Sequence, residues 1–260
     1  SNNIYDKVMK FAANLSKEDS EKFIGMYDYE YKVYSQWGED GIIQHLINNV
    51  DIDRTIFVEF GVEQYTEANT RFLLINNNWS GLVIDGSQKH IDYIKNDPIY
   101  WRYNLKAECT FIDKDNINQL ISKNGIHGDI GILSVDIDGN DYWVWDAIDV
   151  IQPRIVICEY NSLFGPEKSA TVPYNPSFYR TNAHFSNLYY GASVAGLTQL
   201  ANSKGYALVA GNKVGNNIFF VRRDLMNNLE EKKPEDVYVQ SEFRESRGKD
   251  GQLTFLSMDK

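Results

Sequence analysis

Acidic residues recur in this chain just after apolar runs, and their spacing limits the chemistry they can do. The densest group is Ser134-Val-Asp-Ile-Asp-Gly-Asn-Asp141. Three carboxylates within six residues, Asp136, Asp138 and Asp141, repel one another unless a cation intervenes. Glu159 and Asn161 follow Asp136 by 23 and 25 residues, at the end of the next apolar run. Oxygen ligands from two neighbouring strand ends suit a hard divalent cation such as Mg²⁺ or Mn²⁺. The competing reading is plainer: Asp138 and Asp141 shape a turn and cap the helix beginning near Tyr142. His184, in Arg180-Thr-Asn-Ala-His, falls late in a long loop and is a candidate further ligand or general base. His45, His90 and His127 read as ordinary side chains.

Two earlier apolar runs also end in candidates. Val58-Glu-Phe-Gly-Val-Glu63 holds one glycine, Gly61, where a nicotinamide fold would place Gly-x-Gly-x-x-Gly against a pyrophosphate. A ligand without phosphate, carrying a carboxylate and an ammonium, fits this loop better. Glu59 or Glu63 is placed for the ammonium, and Asn69 and Thr70, near a helix N-terminus, for the carboxylate. Asp85-Gly-Ser87 ends the next run, 26 residues after Glu59. An acid there is where a nucleoside ribose gives its two hydroxyls to a carboxylate. Gly86 and Ser87 belong to the same turn. Ile112 and Asp113, one strand later, are candidate neighbours of an adenine. Upstream, Ser35-Gln-Trp-Gly-Glu-Asp-Gly41 is richer than a helix cap requires. Gln36 and Trp37 there lie across a ligand cleft if the N-terminal segment folds over the sheet.

These positions need a scaffold of alternating strands and helices. Strands are predicted from Thr55 to Gly61, Gly81 to Gly86, Lys106 to Asp113, Ile130 to Asp136 and Arg154 to Tyr160. Helices are predicted over Glu39–Val50, whose apolar stripe is Ile42, Ile43, Leu46, Ile47 and Val50, and over Glu67–Asn78. Others run from Ser87, as cap, to Asn96, then Asp115–Lys123, Tyr142–Ile151 and Leu188–Lys204. The opening stretch to about Lys32 reads as helical and then irregular. A loop of nearly 25 residues after Asn161 reads as an ordered lid. Tyr206–Ala210 and Ile218–Arg222 are close enough to form a hairpin. Together these give an α/β, doubly wound, mostly parallel sheet with one antiparallel strand. Ligands of such sheets bind beyond the carboxyl ends of the strands, where the candidates lie.

Composition removes other classes. The chain has 260 residues, 43% hydrophobic and 24% charged, with 26 basic against 36 acidic residues and a net charge of −10. A chain this acidic lacks the basic footprint of a nucleic-acid binder and repels anionic membrane. No apolar run approaches the roughly 18 residues that span a bilayer. The first twenty residues carry Asp6, Lys7, Lys10, Lys17, Glu18 and Asp19, which reads against a secretory signal peptide. Cys109 and Cys158 lie in strand-like runs and read as buried reduced thiols, which points to the cytoplasm. The 17 Tyr, 13 Phe and 5 Trp are read first as packing.

Seven pieces together resemble a known family: Ser35-Gln-Trp-Gly-Glu-Asp40, Phe57-Val-Glu-Phe-Gly-Val-Glu63, Asn69-Thr-Arg71, Gly81-Leu-Val-Ile-Asp-Gly-Ser87, Leu133-Ser-Val-Asp-Ile-Asp-Gly-Asn-Asp141, Val156-Ile-Cys-Glu-Tyr-Asn161 and Tyr189-Tyr-Gly-Ala-Ser193. The chain is similar to S-adenosylmethionine-dependent methyltransferases of the seven-stranded, Rossmann-like class I. More narrowly it resembles the FkbM-type enzymes of bacterial glycan and capsule gene clusters. Its glycine-poor first loop departs from the Gly-x-Gly pattern common among methyltransferases at large.

The resemblance implies one methyltransferase domain over residues 1–260. It would have a helical N-terminal cap (1–50), a sheet core (55–222), a lid-like loop (162–187) and a polar C-terminal extension (227–260). It implies S-adenosylmethionine held by Gln36, Glu59, Gly61, Glu63, Asn69 and Thr70, together with Asp85, Gly86, Ser87, Asp113 and Asp136. A divalent cation on Asp136, Asp138, Glu159, Asn161 and His184 would orient the acceptor oxygen. Asp136, Asp138 and His184 are the expected catalytic residues, His184 as base for a sugar hydroxyl. Trp37, Arg180 and Lys168 would meet the acceptor, the two cations assisting if it is a phosphoramidate oxygen. The expected acceptor is a small glycan or a phosphorylated or nucleotide-linked precursor, and a homodimer is compatible with the pattern. The main rival is a nucleotide-sugar glycosyltransferase using Asp136-Ile-Asp138 as its metal motif. Asp85 and the closing hairpin stand against it. A non-catalytic cofactor-binding protein is the second rival.

Overall fold

The structure, a computed structural model, describes residues 29–240 and 247–252. The expected helical opening and the distal end of the polar extension lie mostly outside them. Seven strands form one sheet in the order β3-β2-β1-β4-β5-β7-β6. They are β1 (Ile56–Phe60), β2 (Ser80–Asp85), β3 (Leu105–Cys109), β4 (Gly128–Val135), β5 (Ile151–Glu159), β6 (Tyr206–Gly211) and β7 (Asn217–Arg222). The first five pair in parallel, and β7 runs antiparallel to both β5 and β6. This is the seven-stranded, doubly wound arrangement with one antiparallel strand that the sequence predicts.

The helices are α1 (Glu39–Asn49), α2 (Arg71–Asn76), α3 (Gln88–Asn96), α4 (Pro98–Arg102), α5 (Ile117–Lys123) and α6 (Asp141–Ala147), followed by α7 (Arg180–Ala183), α8 (Val194–Ser203) and α9 (Pro234–Val237). They cover both faces, which is why the central strands are apolar without alternation. On one face Val58 and Leu133 pack with Leu120, Trp145 and Leu200. On the other, Phe57 and Val83 pack with Ile42, Leu46, Leu73 and Ile91. The order reverses between β1 and β4, so a crevice opens there beyond the strand ends.

Element ends differ from prediction where pairing or capping intervenes. β3 stops at Cys109 rather than Asp113, because its partner β2 ends at Asp85, opposite Cys109. The segment Thr110–Asp113 is thereby released to line the crevice. The helix predicted through Ile151 ends at Ala147, and β5 begins at Ile151. Pro153 is tolerated because β5 pairs there with β4 alone; its ladder with β7 starts at Ile155. The helix predicted from Leu188 begins at Val194, where Ser193 Oγ accepts the Gly196 N–H at 3.0 Å. Glu67–Asn78 shortens to Arg71–Asn76. Among the described residues no helix is long and apolar enough to cross a membrane.

Candidate active site

The crevice is a cleft of about 640 Å³ that draws on the ends of β1, β2, β4 and β5 and on the loop after β5. That size falls in the range of small-molecule sites. The β1 end is set by Gly61, with φ +68° and its N–H on the Ile84 carbonyl at 3.0 Å. A Cβ there would lie 1.7 Å from the Asp136 carbonyl oxygen, so only glycine lets the β1 loop pass beside β4. Glu63, also at positive φ, turns its N–H onto Asp85 Oδ2 at 2.8 Å. Asp85 Oδ1 accepts from the Ser87 N–H at 2.8 Å and from His90 Nδ1 at 3.1 Å. Asp85 thus ties the β1 loop to the start of α3, at the position where the sequence places a ribose.

Several predicted cofactor residues line this half of the cleft: Gln36, Gly61, Glu63, Asp85, Gly86 and Ser87. Ile112 does too. Glu59, Asn69 and Thr70 do not. Glu59 is buried, and its carboxylate accepts the Asn69 N–H at 2.9 Å, the Thr70 N–H at 3.0 Å and the Thr70 hydroxyl. It therefore holds the turn into α2, and burial lifts its pKa to about 6. Asp113 likewise turns inward on its own loop, accepting the Asp115 and Asn116 N–H groups at 2.8 Å.

The other half is acidic. One carboxylate oxygen each from Asp136, Asp138 and Glu159 lie within 4.8 Å of one another. Asp136 and Glu159 are half-buried, and loss of solvent followed by mutual repulsion pushes both pKa values well up. Such a set is incomplete without a cation or a proton, and its all-oxygen donors suit Mg²⁺ or Mn²⁺. Asp141 belongs to the plainer reading. It is buried, and its two oxygens accept the Ile137 N–H at 2.8 Å and the Gly139 N–H at 2.9 Å, so it shapes the turn. Burial raises its pKa to about 6.

Two predicted ligands stand apart from this group. Asn161 is buried, capping Leu163 through Oδ1 and holding the Leu188 and Tyr190 carbonyls at 3.0 Å through Nδ2. It fixes the two ends of the lid and does not line the cleft. His184 is exposed, with Nδ1 2.7 Å from Ser186 Oγ and its ring against Phe185. Of the predicted acceptor residues, Arg180 lines the cleft and forms an ion pair with Asp138, while Trp37 and Lys168 lie outside its wall.

The lid is docked onto the acidic turn. Asn140 Nδ2 donates to the Asn175 carbonyl at 2.8 Å, and Trp143 Nε1 to the Val172 carbonyl at 2.8 Å. The Phe178 ring lies flush on Gly139, where a Cβ would meet it at 2.2 Å. Phe178, Tyr179 and Asn187 thereby become part of the cleft wall. Sequence reasoning missed these, and it missed His90, Thr110 and Phe111. Phe111 leaves 47% of its surface exposed beside Gly86, an apolar wall at the cleft mouth. The available signal was its place just past a strand end, next to Ile112.

No family model matches the chain, and no curated protein sequence does. Solved structures do resemble it. M. capricolum TrmK in complex with S-adenosyl-homocysteine is 12% identical, with a TM-score of 0.42 over 69% of this chain and 67% of that one. The N-terminal domain of EvdMO1 with S-adenosyl-homocysteine bound is 9% identical, with a TM-score of 0.46 over 84% and 96%. The O-methyltransferase from Bacillus cereus in complex with the same ligand is 12% identical, with a TM-score of 0.40 over 64% and 74%. Likenesses this distant leave the chemistry to be argued from the residues of this chain.

Proposed function

We propose that this chain is an S-adenosylmethionine-dependent methyltransferase that moves a methyl group to an oxygen of a small glycan or phosphorylated precursor, assisted by a divalent cation. One observation carries the reading: a single cleft joins Asp85 and the β1 loop to the acid group Asp136, Asp138 and Glu159. The first half has the parts a nucleoside needs, an acid at the β2 end and the apolar Phe111 and Ile112 beyond β3. The Glu63 carboxylate at the cleft wall suits an ammonium, and the nearby acids suit a sulfonium. The second half has donors for a hard cation, which when bound would polarise the acceptor oxygen. Asp136 borders both halves, through the backbone at Gly61 and through its side chain at Glu159. Donor and acceptor are thereby held side by side, and positioning of that kind supplies several kcal/mol of a transfer barrier.

Within this reading Gln36 and Gly61 shape the cofactor half. Arg180 and Tyr179 face the acceptor. An anionic acceptor oxygen needs no base; a hydroxyl would give its proton to a carboxylate of the acid group, since His184 points elsewhere. The free thiols Cys109 and Cys158 fit a reducing compartment, the cytoplasm.

Thermal melting tests the reading. S-adenosylhomocysteine at 100 times its Kd is expected to stabilise the chain by about 2.7 kcal/mol and raise Tm, while a UDP-sugar leaves Tm unchanged. The opposite pattern favours the glycosyltransferase reading of Asp136-Ile-Asp138 and overturns this one. Transfer of label from S-adenosylmethionine to sugar phosphates, with Mn²⁺ and with EDTA, tests the acceptor class and the metal.

A further inference from the structure

One buried polar side chain on the cleft wall has no protein partner. Asn187 is 5% exposed and lines the cleft, yet among the described residues no group hydrogen-bonds its amide. Its backbone is committed: the N–H donates to the His184 carbonyl at 3.0 Å, and the carbonyl accepts from Arg180 Nε at 2.8 Å. The residue sits at φ +59°, a left-handed conformation that asparagine tolerates better than most side chains. Buried amides are nearly always paired. This one keeps some surface where the residue borders the cleft, so its partner comes from what the cleft holds.

The surroundings narrow that partner. An amide offers two N–H donors and an accepting oxygen, the complement of hydroxyl groups, which both donate and accept. An oxyanion is disfavoured at this end. Asp138 already pairs with Arg180, and Asp136 and Glu159 share the same acid group. With the divalent cation of the reading above in place, three carboxylates are balanced by that cation and one guanidinium. No positive charge is left over to draw an anion. Tyr179 adds an aromatic face to the same wall, with 57% of its surface exposed.

Building on the methyl-transfer reading above, we infer that Asn187 is an acceptor-binding residue whose amide hydrogen-bonds hydroxyl groups of a neutral sugar. The lid thereby selects sugar hydroxyls over phosphate at the acidic end of the cleft.

Nuclear magnetic resonance of the ¹⁵N-labelled chain, with S-adenosylhomocysteine and Mg²⁺ present, tests this. The side-chain NH₂ signal of Asn187 is assigned by its loss in Asn187→Gly, a variant suited to φ +59° that keeps both backbone bonds. Methyl glycosides of glucose, galactose and mannose are titrated separately, then inorganic phosphate at matched ionic strength. At least one glycoside should move the signal, and phosphate should leave it in place. Asn187→Gly should weaken that glycoside about three- to tenfold, the worth of one hydrogen bond, with S-adenosylhomocysteine affinity unchanged. A signal moved by phosphate, or by none of the glycosides, overturns the inference and leaves the cofactor reading standing. Unchanged glycoside affinity in Asn187→Gly does the same. Failure of the wild-type chain to bind S-adenosylhomocysteine overturns both.

Discussion

Arg180 donates to Asp138, 42 residues earlier in the chain, and so lays the one Lys or Arg among the described residues that line the cleft against its group of acids. The same guanidinium lies 3.6 Å above the Tyr190 ring and donates through Nε to the Asn187 carbonyl at 2.8 Å. One side chain therefore joins the lid, the acidic turn and the end of the loop that returns to α8. It also occupies a carboxylate that a divalent cation would use.

Replacing Arg180 by Gln removes that competing charge. Mn²⁺ should then bind several-fold more tightly, because Asp138 is freed and the local negative potential deepens. The lid should loosen at the same time, seen as faster proteolysis between residues 162 and 191. Weaker Mn²⁺ binding by R180Q would show instead that Arg180 supports the cation site.

Asp136 and Glu159 carry a stability cost as carboxylates. Their folded-state pKa values are raised, by burial first and by neighbouring acids second. Their protonated forms therefore favour the fold. That contribution is complete below the ordinary carboxylate pKa of about 4 and is lost as pH rises through the raised values. At neutral pH, Asp136→Asn or Glu159→Gln should raise Tm by about 2–4 °C, the shift of about 1 kcal/mol in a chain of this size. Turnover should be lost. Mn²⁺ should raise the Tm of the wild-type chain and leave that of either variant nearly unchanged.

Glu59 behaves differently, because both its oxygens meet donors. Glu59→Gln turns an amide NH₂ toward N–H groups of the Asn69–Thr70 turn and leaves a buried donor unpaired. A loss of about 1–3 kcal/mol follows, measured by denaturant unfolding. Wild-type stability resting on Glu59 and Asp141 should decline between about pH 4 and about pH 6, since both pKa values are raised to about 6.

Gly139 tests the lid without touching a charge. A methyl group there would lie 2.2 Å from the Phe178 ring, so Gly139→Ala must displace the lid while leaving the β1 and β2 loops in place. The KM for the acceptor should rise by about tenfold or more, with S-adenosylhomocysteine affinity unchanged. Equal losses in both would mean that the two halves of the cleft are not separable in this way.

Strand-end chemistry was legible because it is written locally. An apolar run followed by Gly61, Asp85, Asp136 or Glu159 places each residue at a carboxyl end, and parallel pairing brings those ends together. Side chains in the loop after β5 were not legible, since where they point depends on tertiary contacts. Asn161 was read as a metal ligand, yet it spends its amide on the Leu188 and Tyr190 carbonyls. His184 was read as a base and faces Ser186 and Phe185 instead. Glu59 matched a ligand pattern in the sequence, but its oxygens are taken by the turn it supports. His90 was passed over because nothing local marks a helix residue that reaches back to the strand end before it.

The most direct measurement is a crystal structure of the chain with S-adenosylhomocysteine and Mn²⁺. The account predicts adenosyl density between Asp85 and Phe111, its diol beside Asp85, and an anomalous peak among Asp136, Asp138 and Glu159. A nucleotide-sugar bound in that cleft in place of the homocysteine derivative, or ligand density away from the ends of β1 and β2, would contradict it.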